Sequence, residues 1–216
     1  MLKTVVISSG HGKHVQGAVG ILNEVDEARR VVDHLADELS LRGVAPIIFH
    51  DDTSQSQGEN LDRIVSVHNS HKRDLDISVH FNAFEYSEHP RGVEVLYLTQ
   101  DELAADVSEA IAACGFIDRG AKKRTDLAFL NGTDKPAILI EVCFVDSEAD
   151  AQIYGENFDA ICCAIANVLG GEDATGEQPP VTVDKPPVAT TLPTVDIVVT
   201  GNVLIYVNGI QVGTKG

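Results

Sequence analysis

Four side chains with the chemistry of a metal site lie far apart in the chain: His11, Glu24, His80 and Glu141. His11 lies in the glycine-flanked segment Ser9-Gly10-His11-Gly12, and His80 and Glu141 end short β-rich runs. In an open α/β sheet such ends converge on one edge, where ligands bind. Two imidazoles and a carboxylate form a three-ligand zinc set that leaves one position open for water. A second carboxylate nearby supplies the base that such a site needs.

Each of these residues also has a purely structural explanation when it is taken alone. A loop histidine such as His11 more often caps an element or lies at the surface, and His14 is a rival ligand beside it. Glu24 in a first helical turn favours the helix dipole, and His80 could be a hydrogen-bonded structural histidine. Glu141 ends an apolar strand, where an unpaired carboxylate is costly, so it is either paired with a cation or functional. One shared site explains all four positions more simply than four coincidences.

The remaining histidines are weaker ligand candidates. His68 and His71 lie three residues apart on one predicted helix face, a spacing that can bind a metal ion. Because no third ligand is near them in sequence, a solvated helix face is the prediction. The others lie on a charged helix face or in polar loops: His34, His50 and His89.

The elements that position the candidate residues alternate along the first part of the chain. Strands are predicted at residues 4–8, 45–49, 76–80, 93–98, 127–130 and 137–141. Helices are predicted at residues 24–42 and 61–70, and around residues 103–114 and 158–169. This alternation indicates an α/β fold in which helices pack on both faces of a sheet.

The composition changes after Gly170. Five of the eight prolines fall between Pro179 and Pro193, which predicts an extended linker over residues 171–193. Residues 194–216 are predicted to form a small β-rich module. Its three short strands are placed at residues 195–199, 203–207 and 210–212, with a tight turn at Asn208-Gly209. So short a module cannot bury a core alone. We therefore expect it to pair with another copy, with the main domain or with residues absent from this sequence.

Length and charge exclude several classes of function. The 216 residues suffice for one sizeable domain with an appendage. A net charge of −17, from 33 acidic and 16 basic residues, argues against nucleic-acid binding. No apolar run is long enough for a membrane span, and the apolar stretch after Met1 is too short for a signal peptide. We therefore expect synthesis in the cytoplasm without secretion machinery. The four cysteines form no CxxC pair and are expected to be buried free thiols.

Several segments, in this order and spacing, resemble one known family. They are Ser9-Gly10-His11-Gly12, Gly17-Ala18-Val19-Gly20 with Glu24, Ser78-Val79-His80-Phe81-Asn82, Arg91-Gly92-Val93-Glu94, Arg119-Gly120-Ala121-Lys122 and Ile140-Glu141-Val142. The chain is similar to the zinc-dependent N-acetylmuramoyl-L-alanine amidases of bacterial cell-wall hydrolases and phage endolysins. It differs from the usual pattern at Ser8-Ser9, where members often have Asp-Pro, and at Val142, where Gly is more usual.

The resemblance implies a fold and a set of site residues. The fold is a twisted, mostly parallel sheet of about six strands flanked by helices, phosphorylase/hydrolase-like, within a catalytic domain at residues 1–170. One zinc ion would be held by His11, Glu24 and His80. Glu141 would be the catalytic acid and base. Substrate contacts would come from Asn82, Arg91 and Arg119.

The resemblance also implies a reaction and a setting. The bond cut joins N-acetylmuramic acid to L-alanine in peptidoglycan. The absence of a signal peptide, with a linker and a small module, fits a phage or prophage endolysin that leaves the host cytoplasm through holin pores. The small module would then bind the wall or self-associate. Three alternatives stay open: a zinc peptidase that cuts within the stem peptide, a host cell-wall amidase, and a wall-binding protein without activity.

Overall fold

The computed structural model describes residues 2–171 and the backbone of residues 203–207 and 210–215. The chain divides into two compact units, Met1–Gln178 and Pro179–Gly216. The first unit contains a six-stranded sheet in the order β2-β1-β3-β6-β4-β5. Its strands are β1 (Thr4–Ser9), β2 (Ala45–Phe49), β3 (Leu75–Asn82), β4 (Val93–Tyr97), β5 (Asp118–Lys123) and β6 (Ala137–Phe144).

All neighbouring strands of this sheet run parallel except β4 and β6, which are antiparallel. The helices are α1 (Glu24–Leu41), α2 (Gln57–Ser70), α3 (Asp101–Ala112), α4 (Ala128–Gly132) and α5 (Glu148–Gly170). The larger core lies between the sheet and α1, α3 and α5, and a smaller core lies under α2 and α4. The predicted α/β fold, with a mostly parallel sheet of about six strands flanked by helices, is confirmed.

Helix α1 is placed by its cap and by its apolar face. The Asn23 side chain accepts a hydrogen bond from the Val25 backbone N–H at 3.0 Å, which satisfies a donor that the helix itself leaves free. The buried positions recur at helical spacing: Ala28, Val31, Val32, Leu35 and Leu39. Cap and core together fix Glu24, the first residue of the helix.

One sequence-based assignment is wrong, and one strand of the sheet was not predicted. Residues 127–130 were expected to be a strand but belong largely to α4, whose consecutive Phe129 and Leu130 are both buried in the smaller core. Consecutive buried side chains suit a helical turn, whereas a strand turns neighbours to opposite faces. The sixth strand is instead β5, Asp-Arg-Gly-Ala-Lys-Lys, a polar sequence that pairs only with β4 at the sheet edge.

The second unit is described only as two strands. Strands β7 (Val203–Val207) and β8 (Ile210–Lys215) pair antiparallel, with Val207 opposite Ile210. These two strands were predicted, and β8 is longer than expected. The linker from residue 172 onward, the strand expected at 195–199 and the turn at Asn208-Gly209 lie outside the described residues. Within the described residues, none of the helices is long and apolar enough to cross a membrane.

Candidate metal centre and active site

The four candidate residues converge at one edge of the sheet. His11 follows β1, His80 lies near the end of β3, and Glu141 lies in β6 directly opposite His80 in the strand register. Glu24 comes from the start of α1. Since β1, β3 and β6 are parallel neighbours, their carboxyl ends meet at this edge.

Three of these residues form a compact cluster of metal-binding atoms. His11, Glu24 and His80 each offer one donor atom, and these atoms lie within 4.8 Å of one another. Glu24 lies between the imidazoles: its Oε2 is 3.5 Å from His11 Nε2, and its Oε1 is 3.0 Å from His80 Nδ1. The two imidazole rings meet edge to face, with centroids 5.3 Å apart. Donors from three different elements thus face one point.

The Glu24 carboxylate is buried and fixed by the backbone. The N–H of Ala18 donates to Oε2 at 2.6 Å, and the N–H of Phe81 donates to Oε1 at 3.1 Å. Burial alone raises the pKa of Glu24, but its hydrogen bond with His80 and the nearby imidazoles outweigh burial and lower the pKa below its ordinary value. The carboxylate is therefore charged and preoriented, as a metal ligand must be.

The two histidines differ in their electrostatics. Burial lowers the pKa of His11 although Glu24 attracts a proton to it, so this imidazole is neutral at pH 7. Burial also lowers the pKa of His80, but the hydrogen bond to Glu24 and the charges of Glu141 and Glu24 outweigh that effect and raise the pKa. The Glu24 carboxylate thus fixes the orientation of the His80 ring.

Two glycines leave room for the ligands. A Cβ atom on Gly10 would lie 1.8 Å from His80 Nε2, and one on Gly17 would lie 2.4 Å from Glu24 Oε2. Neither glycine has a positive φ. Gly10 of the Gly-His-Gly motif is thus required because an imidazole approaches it closely, and not because its backbone adopts a positive φ.

Glu141 lies beside the cluster with an unsatisfied oxygen. Its Oε2 is buried and has no hydrogen-bond partner among residues 2–171. Burial, helped by the negative charges of Glu24 and Glu94 and opposed by His80, raises the pKa of Glu141 to about 7. A carboxyl group with such a pKa can both take up and release a proton near neutrality.

A β-bulge sets the side chains of β6 against those of β3. His80 pairs with Glu141, but Asn82 pairs with Phe144, so β6 carries one extra residue in this interval. The extra residue interrupts the alternation of side chains along β6. Glu141 and Phe144, three residues apart, therefore face the same side of the sheet as their partners His80 and Asn82. Bulges commonly re-aim side chains next to active sites. Phe144 accordingly lies outside both apolar cores.

Comparison with known proteins decides the family. Residues 5–170 match the family model described as N-acetylmuramoyl-L-alanine amidase. The chain belongs to this amidase family. The matched residues include the six-stranded sheet except its first residue, Thr4, and they include His11, Glu24, His80 and Glu141. The family that the sequence motifs resemble, and the enzyme class that it implies, are therefore confirmed.

Two individual relatives are similar to this chain, and one of them is named as an amidase. An uncharacterized protein of Clostridium perfringens is 28% identical over 163 residues, which cover 70% of this chain and 47% of that protein. The germination-specific N-acetylmuramoyl-L-alanine amidase of Bacillus subtilis is 27% identical over 177 residues, which cover 71% of this chain and 72% of that protein. The chain thus spans about half the length of the Clostridium perfringens protein.

A solved structure shows the same fold. It is the catalytic domain of an endolysin that targets Clostridium difficile, with a TM-score of 0.72 and 26% sequence identity. The similarity covers 79% of this chain and 98% of that domain. The amidase fold of this chain therefore corresponds to an entire catalytic domain.

The three expected substrate residues of the amidase do not form one group. Asn82 Nδ2 donates to Glu94 Oε1 at 3.0 Å, and Arg119 Nε donates to Glu94 Oε2 at 2.8 Å. Arg91 lies outside this hydrogen-bonded group, with its guanidinium 5.1 Å from the ring centroid of Phe84 and 5.7 Å from that of Phe144. Arg119 lies over the same Phe144 ring, 5.0 Å from its centroid. Glu94, which joins Asn82 to Arg119, was missed in the sequence. Its only signal there is a charged residue within the apolar run Val-Glu-Val-Leu-Tyr.

The other histidines contribute no ligand to the described cluster. His14 is exposed and is not part of it. The solvated helix face expected around His68 is wrong, because His68 is completely buried. Its Nδ1–H donates to Asp76 at 2.8 Å, and Ser8 Oγ donates to its Nε2 at 3.0 Å. Arg73 closes the group with two hydrogen bonds to Asp76. This buried group ties α2 to β1 and β3 beneath the metal cluster.

The four cysteines are free, as expected. Three of them are buried, namely Cys143, Cys162 and Cys163. The fourth, Cys114, is partly buried.

Proposed function

We propose that this protein hydrolyses the amide bond between N-acetylmuramic acid and L-alanine in peptidoglycan, with one zinc ion held by His11, Glu24 and His80. The observation that carries the proposal is the three-donor cluster with Glu141 beside it. Family membership supports the reaction, since the matching family is one of N-acetylmuramoyl-L-alanine amidases.

The residues present fit zinc. Two imidazole nitrogens and a carboxylate oxygen are ligands that zinc prefers, and three protein ligands leave a position for water or substrate. The cluster comes from a loop, a helix start and a strand, each fixed by backbone contacts such as that from Phe81 to Glu24. The unpartnered Glu141 Oε2 beside the cluster is the acceptor that an attacking water requires.

The mechanism assigns the proton transfers to Glu141. When bound, zinc supplies a Lewis acid that polarises the scissile carbonyl and lowers the pKa of water. Glu141 takes a proton from the attacking water as the new C–O bond forms. It then delivers that proton to the amine of L-alanine as the C–N bond breaks. The raised pKa of Glu141, about 7, suits both transfers near neutral pH.

The experiment that tests this proposal is digestion of purified cell walls followed by mass spectrometry of the products. We expect peptides with a free N-terminal L-alanine and glycan strands without new reducing ends. The Glu141→Gln variant is the control and should release neither product. New termini within the stem peptide would show a peptidase instead, and no release by the zinc-loaded protein would exclude both enzymes.

We also propose that the protein acts as an endolysin. The 98% coverage of an endolysin catalytic domain supports this setting, whereas the similarity to a germination-specific amidase supports a host enzyme. The two settings differ in how the protein reaches the wall. Cytoplasmic expression should lyse cells only when a separately induced membrane pore is present. Lysis without that pore would contradict release through holin pores.

Residues 1–170 are proposed as the complete catalytic unit, with residues 194–216 binding the wall or self-associating. Helix α5 ends at Gly170, and the Gly171 N–H caps it by donating to the Asn167 carbonyl at 2.9 Å. A chain cut after Gly171 keeps this cap. It should fold and hydrolyse soluble muropeptides, while its wall binding or oligomeric mass falls. If the shortened chain unfolds, or if its wall binding and its oligomeric mass both stay unchanged, the division into a catalytic unit and a separate C-terminal module is refuted.

A further inference from the structure

An exposed pair of aromatic side chains follows the strand that carries His80. Phe84 is 70% and Tyr86 is 63% exposed. They are the only aromatic residues among the exposed large apolar side chains of residues 2–171. Large apolar groups left in water at one place commonly mark a binding surface. We call Phe84 and Tyr86 the aromatic platform.

The platform is held rigidly by the segment that follows β6. The Phe84 N–H donates to Asp146 Oδ2 at 2.7 Å, and the Ser87 N–H donates to the Asp146 carbonyl at 2.9 Å. The Tyr86 hydroxyl donates to the Glu148 carboxylate. A surface fixed in advance loses little conformational entropy when a ligand binds.

The base of the loop is fixed as well. Asp150, which is fully buried, accepts hydrogen bonds from the backbone N–H groups of Arg91 and Gly92 at 3.0 Å. The Arg91 side chain donates to the Glu85 carbonyl at 2.9 Å and lies over one face of the Phe84 ring. Phe84 is 70% exposed even with Arg91 over its ring, so it is available to a ligand.

The loop that carries the platform and the segment before Glu24 are hydrogen-bonded to the same residue, Val145. The Val145 carbonyl accepts hydrogen bonds from the Ile21 and Leu22 N–H groups, directly before Glu24. The Val145 N–H in turn donates to the Asn82 carbonyl at 2.8 Å, at the start of the platform loop. One short segment therefore fixes both the approach to Glu24 and the loop that carries Phe84.

Charge selects which part of peptidoglycan fits here. The platform has three exposed carboxylates in its own loop or bonded to it, Glu85, Glu88 and Glu148, which outnumber the Arg91 guanidinium over Phe84. These repel the anionic stem peptide but not an uncharged acetylated sugar. The C–H face of a pyranose ring carries partial positive charge and packs on the negative face of an aromatic ring.

We propose that Phe84 and Tyr86 form a subsite for the glycan strand, stacking against N-acetylated sugar rings next to the metal centre. This proposal rests on the proposed function, because it assigns one part of that same substrate to one surface. It places the glycan on the platform, and it leaves the anionic stem peptide to the guanidinium groups of Arg91 and Arg119, which both lie over the neighbouring Phe144 ring.

The test uses the full chain and the uncharged tetramer of N-acetylglucosamine as a probe. Phe84→Ala and Tyr86→Ala should each weaken binding by about 10-fold, measured by calorimetry or NMR titration. Tyr86→Phe keeps the ring but loses the hydrogen bond to Glu148, so it should bind the tetramer more tightly than Tyr86→Ala does. Leu41→Ala removes an exposed apolar side chain from the end of α1 and is the matched control.

Kinetics on purified walls complete the test. The two alanine variants should raise KM with little change in kcat. Unchanged binding of the tetramer by both variants, or loss of stem-peptide binding in its place, would overturn the proposal. These outcomes are distinct from failure of the proposed function, since sugar binding is measured without turnover and wall cleavage by the unmodified chain is scored separately.

Discussion

Glu94 of β4 lies directly opposite Glu141 of β6 in the antiparallel pairing of these strands. Residues opposite each other in such a pair share a face of the sheet, so two carboxylates stand side by side. Glu94 is itself hydrogen-bonded to Asn82 and paired with Arg119 at 2.8 Å. The negative charge of Glu94 is one of the causes that raise the pKa of Glu141 to about 7.

Glu94→Gln should therefore lower turnover without loss of zinc. The substitution leaves Arg119 without a carboxylate partner, and the freed guanidinium can then pair with Glu141 and lower its pKa. We expect kcat to fall by about 10-fold, the scale of the free energy of a one-unit change in the pKa of the base. Zinc content and kcat are measured together. Glu102→Gln, an exposed position in α3, is the control, and equal turnover in the two variants would contradict this role.

Gly10→Ala should damage the metal site more than the fold. The new Cβ would lie 1.8 Å from His80 Nε2, so the imidazole must move away from Glu24. Such overpacking costs about 1–3 kcal/mol, and zinc affinity should fall with it. Gly155→Ala, in α5, has nothing within 4 Å of its new Cβ and should keep zinc and full stability. Normal zinc binding by Gly10→Ala would show that the close approach is not needed.

His68 should make stability depend on pH. Burial lowers the pKa of His68 although Asp76 attracts a proton to it. The folded state then binds fewer protons than the unfolded state, in which the pKa is about 6.5. At a pH above about 6.5, the neutral, hydrogen-bonded His68 makes its full contribution to the free energy of unfolding. That contribution is lost as the pH falls below this value.

His68→Gln removes this titrating group. The difference in free energy of unfolding between the unmodified chain and His68→Gln should shrink from pH 7.5 to pH 5.5, measured by denaturant unfolding with chelator present. His71→Gln, at the end of α2, should show no such trend. A difference that stays constant with pH would mean that His68 is not held neutral in the fold.

The sequence predicts the elements that have strong apolar periodicity. Strands β1, β3 and β6 are almost wholly buried, and their carboxyl ends bring His11, His80 and Glu141 together. The convergence follows from parallel topology alone. Strand β5 could not be predicted in this way, because its exposed, charged residues lie at an edge and have no apolar alternation.

Tertiary contacts decide what the sequence leaves open. His68 looks like a surface residue among polar neighbours, and only the packing of α2 onto the sheet supplies the partners Asp76 and Ser8. Glu94 gains its role from the antiparallel register with β6, which places it against Glu141. The sequence shows a glycine at position 10 but not why it is needed. The structure shows that a larger residue there would collide with the imidazole of His80, which comes from a strand far away in the chain.

The proposal that Glu24 is a zinc ligand and Glu141 is the catalytic base is tested most directly by comparing the zinc content of Glu141→Gln with that of Glu24→Gln. Atomic absorption on the purified full chain should find one zinc ion in the unmodified protein and in Glu141→Gln. Turnover by Glu141→Gln should fall by about 10²- to 10⁴-fold. Glu24→Gln should lose zinc, as should His11→Ala and His80→Ala, whereas His14→Ala should keep it. Loss of zinc from Glu141→Gln to the same extent as from Glu24→Gln would make Glu141 a ligand and contradict its role as the base.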